Sequence, residues 1–253
     1  MKIEIVKCLT DNYSYLIFDE KTLNSAVVDP SESGPIINKI EKNNLKLKYV
    51  FNTHHHFDHV GGNKKLKEKY NCKVVGFEKD KNRIPEIDIA LKDNQKWKNE
   101  LFECLILHIP GHTSGHICIY ISELNALFTG DTLFSLGCGR IFEGTYKEMY
   151  ESLIKLKKFP PDTRIYCGHE YTKKNSDFCL SIDSKNSKLI NKISNINKNI
   201  QNGNPTIPSI LRDELECNIF LRSDNIEIQK QLGINGGDPI EAFTKLRDLK
   251  DNF

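Results

Sequence analysis

Four of the chain's eight histidines fall within six residues, in the run His54-His55-His56-Phe57-Asp58-His59. The run follows Tyr49-Val50-Phe51, a short apolar stretch that reads as a strand, and a helix begins soon after, near Gly61. A loop at the carboxyl end of a strand is where α/β proteins usually build their sites. In an extended segment, alternate side chains share a side, so His54 and His56 point together. Asp58 and His59 come at the turn and can face a second centre. Neutral imidazole and carboxylate oxygen are good ligands for zinc and similar divalent ions. An internal, interrupted run behind a strand is not an expression tag. The chain is therefore read as a metal-binding α/β protein, and one loop can supply only part of its site.

The first two-thirds carries further short apolar runs, each close to a turn signal: residues 15–18, 26–28, 74–77, 105–109, 117–121 and 126–128. Helices are predicted over 35–43, over 64–70 and over 146–158, the last ended by Pro160-Pro161. After about Tyr171 the strand-like runs stop and Lys and Asn become dense. Leu189, Ile190, Ile193, Ile196 and Ile200 recur at helical spacing, so that stretch predicts an amphipathic helix rather than a disordered insertion. Residues 209–220 and 239–250 read as further helices. These features divide the chain into an α/β domain over 1–171 and a smaller helical one over 172–253.

Composition narrows the function classes. The 36 Lys and Arg against 34 Asp and Glu give a net charge of +2, which lacks the basic excess of a nucleic-acid binder. No apolar run approaches the roughly 20 residues that would span a bilayer. The N-terminal residues show no secretory or transit pattern, so the cytosol is the expected compartment. The eight cysteines form no Cys-x-x-Cys pair and mostly sit in apolar runs, so they are expected to be free thiols acting as small hydrophobes.

Other strand ends offer the missing ligands. His112 follows residues 105–109 through Pro110-Gly111, Asp131 follows Thr129-Gly130, and His169 follows Cys167-Gly168. Each stands just past a strand and next to a glycine, which lets the backbone come close to a ligand. Taken alone, each would more often be structural; with the first loop they make a coherent set. His55 and His108 read as structural, and His116 as a packing residue or one that supports a ligand. Asp29, in Val28-Asp29-Pro30, is either a carboxylate orienting a ligand imidazole or a simple Asp-Pro turn.

Thr53-His54-His55-His56-Phe57-Asp58-His59, Gly111-His112-Thr113-Ser114-Gly115-His116, Gly130-Asp131-Thr132-Leu133-Phe134 and Gly168-His169-Glu170-Tyr171 together resemble the metallo-β-lactamase superfamily. Gly137-Cys138-Gly139-Arg140 with Glu143-Gly144, and Arg247-Asp248-Leu249-Lys250, narrow the likeness to glyoxalase II, the hydroxyacylglutathione hydrolases. It runs over nearly the whole chain. The resemblance implies an αββα sandwich followed by a small α-helical domain. It implies two divalent metal ions per subunit, zinc with iron or manganese as alternatives. His54, His56 and His112 would hold the first ion and Asp58, His59 and His169 the second. Asp131 would bridge them, beside a water or hydroxide, so Asp58 and Asp131 are the carboxylates assigned to catalysis.

The reaction so implied is hydrolysis of an S-(2-hydroxyacyl)glutathione, typically S-D-lactoylglutathione, to D-lactate and glutathione, the second step of methylglyoxal detoxification. Water held by such ions ionises near pH ~7. The thiolate leaving group, with an ordinary pKa of about 8.5, departs with little help from an acid. Arg140, Tyr171, Arg247 and Lys250 are the expected glutathione contacts, Arg140 standing where the family has lysine. Phe142 departs from the family's usual tyrosine. The partner is the small-molecule thioester, with neither nucleic acid nor membrane, and the chain is a monomer or weak homo-oligomer. Three competing readings remain: a persulfide dioxygenase with a single iron, a metallo-nuclease, and a non-catalytic metal-binding member of the superfamily.

Overall fold

A computed structural model describes residues 1–234 and 237–253. Its residues group into two units, Met1–His108 with Gly115–Gly130, and Ile109–Ser114 with Asp131–Phe253.

The first unit opens with an antiparallel meander of β1 (Lys2–Cys8), β2 (Asn12–Phe18) and β3 (Asn24–Val28). Then follow α1 (Ser33–Lys42), β4 (Lys46–Phe51), α2 (Phe57–Val60), α3 (Asn63–Tyr70), β5 (Lys73–Phe77) and β6 (Ile87–Leu91). From β3 to β6 the pairing is parallel. Parallel neighbours need a long return path, and α1 and the α2–α3 segment supply it. A second sheet, antiparallel within this unit, runs through β7 (Lys96–Lys98), β8 (Glu103–His108), β9 (Ile117–Ile121) and β10 (Ala126–Gly130).

The period of two along a strand sorts the core. Leu16 and Phe18 of β2 and Val50 of β4 join Ile36 and Ile40 of α1 and Leu66 of α3 in one buried cluster. Their neighbours turn the other way, toward the second sheet: Tyr15 lies 5.5 Å from Phe128, and Phe51 lies 5.7 Å from both Trp97 and Phe102. A strand covered on both faces reads as a continuous apolar run instead of an alternation, as Tyr15-Leu16-Ile17-Phe18 does.

The second unit holds a small hairpin of β11 (Leu133–Phe134) and β12 (Gly137–Cys138), then α4 (Tyr146–Leu156) and β13 (Arg164–Cys167). It continues through α5 (Thr172–Ile182), α6 (Ser187–Gln201), β14 (Ser209–Ile210), α7 (Leu211–Cys217), α8 (Ile226–Gln231) and α9 (Pro239–Asp251). Thr145 and Glu148 form a capping box at the start of α4, and Asn186 accepts from the first amides of α6. Phe178 stacks on Phe220 and Phe220 meets Phe243 edge-on, each pair at 6.0 Å, tying α5 and α9 to the turn after α7. The buried Glu214 accepts from the Leu136 amide at 2.7 Å, from Lys192 Nζ at 3.0 Å and from Asn218 Nδ2 at 3.1 Å, and so fixes the β11–β12 turn.

The predicted helices over 35–43, 64–70, 146–158 and 239–250 are present, within a few residues at their ends. Helix α5 was not foreseen, because its buried face includes Thr172, Asn175 and Ser176 and carries no apolar period. The predicted helix over 209–220 is shorter. Ser209 and Ile210 pair with Ile165 and Arg164 as strand, and the helix ends at Cys217. In α6 the apolar stripe buries Leu189 and Ile196, whereas Ile190 and Ile200 remain exposed. Strands β1, β6 and β7 and helix α8 also lay outside the sequence reading; short or edge elements carry too few residues for a period to show. All the cysteines are free and buried, and burial pushes the Cys104 and Cys179 thiols up to about 12. Among the described residues no helix is long and apolar enough to cross a membrane.

Candidate metal centre

In the first unit the histidine loop hangs from the carboxyl ends of two parallel strands. β3 ends at Val28 and β4 at Phe51, so Asp29 and Thr53 come side by side, and the Asp29 amide donates to Phe51 O at 2.8 Å. Asp29 has φ +48, a backbone state that aspartate tolerates better than most residues. Its Oδ1 accepts from the Thr53 amide at 2.8 Å. Its Oδ2 accepts from Thr53 Oγ1 at 2.6 Å and lies 3.0 Å from His59 Nδ1. Thr53 Oγ1, having given its proton to Asp29, faces His54 Nδ1 at 3.1 Å as an acceptor. One buried carboxylate thus favours the tautomer with its proton on Nδ1 in both His54 and His59, accepting from His59 directly and from His54 through the threonine. In each ring Nε2 becomes the basic nitrogen, the tautomer a metal ligand requires. The two readings of Asp29 left open by sequence resolve in favour of the orienting carboxylate.

Donor atoms of Asp29, His54 and His59 lie within 4.8 Å of one another, and all three residues are buried. The His54 ring centroid lies 4.7 Å from that of His56 and 4.1 Å from that of His59. Asp58 Oδ2 is 3.6 Å from His59 Nε2 and accepts from Asn12 Nδ2 at 3.0 Å. Asn52 Nδ2 donates to the His59 carbonyl at 2.9 Å. The remaining histidines of this unit make contacts of their own. His55 pairs with Asp80 at 3.2 Å, His108 stacks on Phe77 at 4.7 Å, and His116 stacks on His54 at 4.6 Å. Gly130 has φ +47, and a Cβ there would meet Thr53 Oγ1 at 2.4 Å, so the residue before Asp131 must be glycine.

The second unit brings together His112, Asp131 and His169. His112 Nδ1 donates to the Arg140 carbonyl at 2.8 Å, which again makes Nε2 the basic nitrogen. Nε2 of His112 lies 3.6 Å from Asp131 Oδ2, and Nε2 of His169 lies 3.2 Å from the same oxygen. A carboxylate flanked by two imidazole nitrogens, all nearly enclosed, is a nitrogen and oxygen set matched to a divalent ion. The turn is laced to the next loop: the Phe142 amide donates to His112 O at 3.2 Å, and Ser114 donates through its amide and Oγ to Glu143 at 2.8 Å. Gly139 must be glycine, since a Cβ would fall 1.8 Å from Asp131 O.

The same unit carries the expected substrate contacts. Tyr171 stacks flat on His169, 4.7 Å between centroids and 4° between planes. Phe142 is 62% exposed and sets its ring 5.1 Å from His112, edge-on. Arg140 is exposed and reaches Asp251 at 3.4 Å. Arg247 and Lys250 both stand on α9, yet their surroundings differ. Arg247 is only 4% exposed and donates to Cys138 O at 2.8 Å and to Asp251 at 2.9 Å. Lys250 is half-buried over the rings of Phe178 and Phe253, and donates to Lys174 O at 3.1 Å. Burial, and then the charge of Arg247, hold its ammonium below the ordinary lysine pKa.

Residues 170–253 match the family model of the hydroxyacylglutathione hydrolase C-terminus, and residues 10–91 and 99–169 that of the metallo-β-lactamase superfamily. The hydroxyacylglutathione hydrolase of Pelagibacter ubique is 55% identical over 253 residues, 100% of both chains. The chain belongs to the hydroxyacylglutathione hydrolases. The cytoplasmic hydroxyacylglutathione hydrolase of Arabidopsis thaliana is 45% identical over 260 residues, covering 100% of this chain and 99% of that one. Among solved structures, ETHE1 from Myxococcus xanthus superposes with a TM-score of 0.67 at 23% identity, over 99% of this chain and 100% of that one. The fold is accordingly the α/β metallo-β-lactamase fold with a helical C-terminal part, and its histidine and aspartate clusters suit divalent ions.

Within this hydroxyacylglutathione hydrolase several supporting residues escaped the sequence reading. Asn12 donates to Asp58, 46 positions away, and Asp251 pairs with an arginine over a hundred positions away. No local pattern marks such pairs. Asn52 and Thr53 adjoin the histidine run and could have been found as the polar end of a buried strand.

Proposed function

We propose that the protein hydrolyses the thioester of S-(2-hydroxyacyl)glutathione, typically S-D-lactoylglutathione, to a 2-hydroxy acid and glutathione. In this reading His54, His56 and His112 hold one divalent ion, Asp58, His59 and His169 the other, and Asp131 both. Zinc is the first choice, with iron or manganese also suited to such a donor set. The observation that carries the reading is the approach of two imidazole nitrogens, from His112 and His169, to a single Asp131 oxygen. Two ions would divide one carboxylate between them in this way.

Bound divalent ions supply water acidified to a pKa near ~7 and positive charge against the developing oxyanion. The chain's own residues set the geometry. Asp29 orients His54 and His59, the Arg140 carbonyl orients His112, and Asn12 holds Asp58. The departing glutathione thiolate has an ordinary pKa of about 8.5, so no dedicated acid is required. Arg140, Lys250 and Arg247 supply positive charge for the glutathione carboxylates, and Tyr171 supplies a hydroxyl beside His169. The functional boundary is placed near residue 171, supported by the two family matches, which meet between 169 and 170. The cytosol is the proposed compartment, as for the Arabidopsis relative.

The test is turnover of S-D-lactoylglutathione by protein loaded separately with zinc, iron and manganese, followed by release of free thiol. Absence of thiol release from all three preparations, each shown by metal analysis to be loaded, would overturn the reading.

A further inference from the structure

Arg140 and Arg247 differ in almost every respect except the carboxylate they share. Arg247 is buried on α9; its Nη1 donates to Cys138 O at 2.8 Å, its Nη2 to Asp251 Oδ1 at 2.9 Å, and its guanidinium lies 5.2 Å over the Phe220 ring. Such a residue has one available conformation. The Arg140 side chain is 64% exposed, and its Nε lies 3.4 Å from the same Asp251 Oδ1. The backbone of Arg140 is held elsewhere, by His112 Nδ1 on its carbonyl at 2.8 Å. Asp251 therefore links a buried cation on the last helix to an exposed one on the loop that orients His112.

We infer that Asp251 is a positioning residue, holding the Arg140 guanidinium in place to receive a carboxylate of the glutathione moiety. The inference rests on the hydrolase reading above. Three features favour positioning over competition with the incoming anion. Asp251 is four residues after Arg247 on the same helix, a spacing that keeps the pair together with or without substrate. Arg247 is buried, so Asp251 is anchored from its inner side. Arg140 approaches Asp251 through Nε at 3.4 Å with its side chain largely exposed, and the five donors of a guanidinium leave capacity for a second carboxylate. An exposed arginine that must be ordered on binding weakens affinity, and a partner that orders it beforehand removes that loss.

Asp251→Asn and Asp251→Glu should be compared with the parent enzyme on two substrates. These are S-D-lactoylglutathione and S-D-lactoyl-N-acetylcysteamine, which lacks the glutathione carboxylates. Asp251→Asn is expected to raise KM for the first roughly three- to tenfold, the scale of one charge-assisted hydrogen bond. Its kcat should stay within about twofold, since the contact is remote from the scissile bond. KM for the truncated thioester should not move, and Asp251→Glu should recover most of the loss. Calorimetric titration with glutathione should show the same order of affinities without turnover. An unchanged or lower KM in Asp251→Asn would overturn the inference, the lower value marking Asp251 as a competitor. Equal losses on both thioesters would overturn it too, by showing a purely structural role. A parent enzyme inert toward S-D-lactoylglutathione would overturn the hydrolase reading, and this inference with it.

Discussion

The two units orient their histidines by opposite means. In the first, one buried side chain serves two rings: Asp29 faces His59 at 3.0 Å and reaches His54 through Thr53. In the second, a main-chain carbonyl does the work, Arg140 O accepting from His112 at 2.8 Å. The difference teaches where each half is vulnerable. A ring held by a carboxylate loses its orientation when one side chain is replaced. A ring held by a carbonyl keeps it whatever side chain stands above, provided the loop stays laced. The second unit is thereby free to vary the side chain at residue 140 while keeping His112 in place.

The largest effect should come from the shared carboxylate. Asp131→Ala is expected to abolish turnover and to lower metal content at the same time, measured by kinetics beside metal analysis. A variant that keeps both its metal and its activity would show that the carboxylate does not hold the ions. Next comes the contrast between the units. Asp29→Ala should cost roughly 10–100-fold in metal affinity or activity, the usual effect of removing an orienting partner. Arg140→Ala should leave metal content intact and raise KM alone. If metal is lost equally from both variants, the contrast between side-chain and main-chain support does not hold.

Within the second unit, Arg247 and Lys250 should separate. Arg247→Ala strands the Cys138 carbonyl in a buried place, at a cost on the order of 1–3 kcal/mol. Each kcal/mol lowers Tm by about 2–4 °C in a chain of this size. Lys250→Ala, at a half-buried site, should raise KM with little change in Tm. Matching melting curves for the two variants would remove the distinction. The smallest effect is expected at Phe142. Its ring is exposed beside His112, and Phe142→Tyr adds a hydroxyl within the substrate region. A neutral hydrogen bond of about 0.5–1.5 kcal/mol predicts a KM lower by roughly two- to tenfold, with kcat little changed. No change in KM would place residue 142 out of contact with substrate.

Much of this was readable from residue order. The strand before His54 and the glycines beside His112, Asp131 and His169 are local features, so the ligand candidates could be named one by one. The helices with a clear apolar stripe were also legible, as in α4. Helix α5 was not, because it buries Thr172, Asn175 and Ser176, whose polarity is satisfied only by the surrounding fold; Asn175 donates to Ser135 O at 3.1 Å. The short strand β14 was read as helix, since its extended state comes from pairing with β13 and not from its own two residues.

The sequence alone was enough to point to divalent ions at a histidine loop, and to a likeness to the hydroxyacylglutathione hydrolases. Ligand chemistry is intrinsic to residue type, and spacing along a strand is local. The roles of Asp29, Asn12 and Asp251 came only with the folded chain. Each acts on a residue at least 24 positions away: Asp29 on Thr53, Asn12 on Asp58, Asp251 on Arg140. Which nitrogen of an imidazole carries the proton depends on which acceptor the fold sets beside it. That acceptor arrives through strand pairing and helix packing, and such contacts leave no trace in residue order.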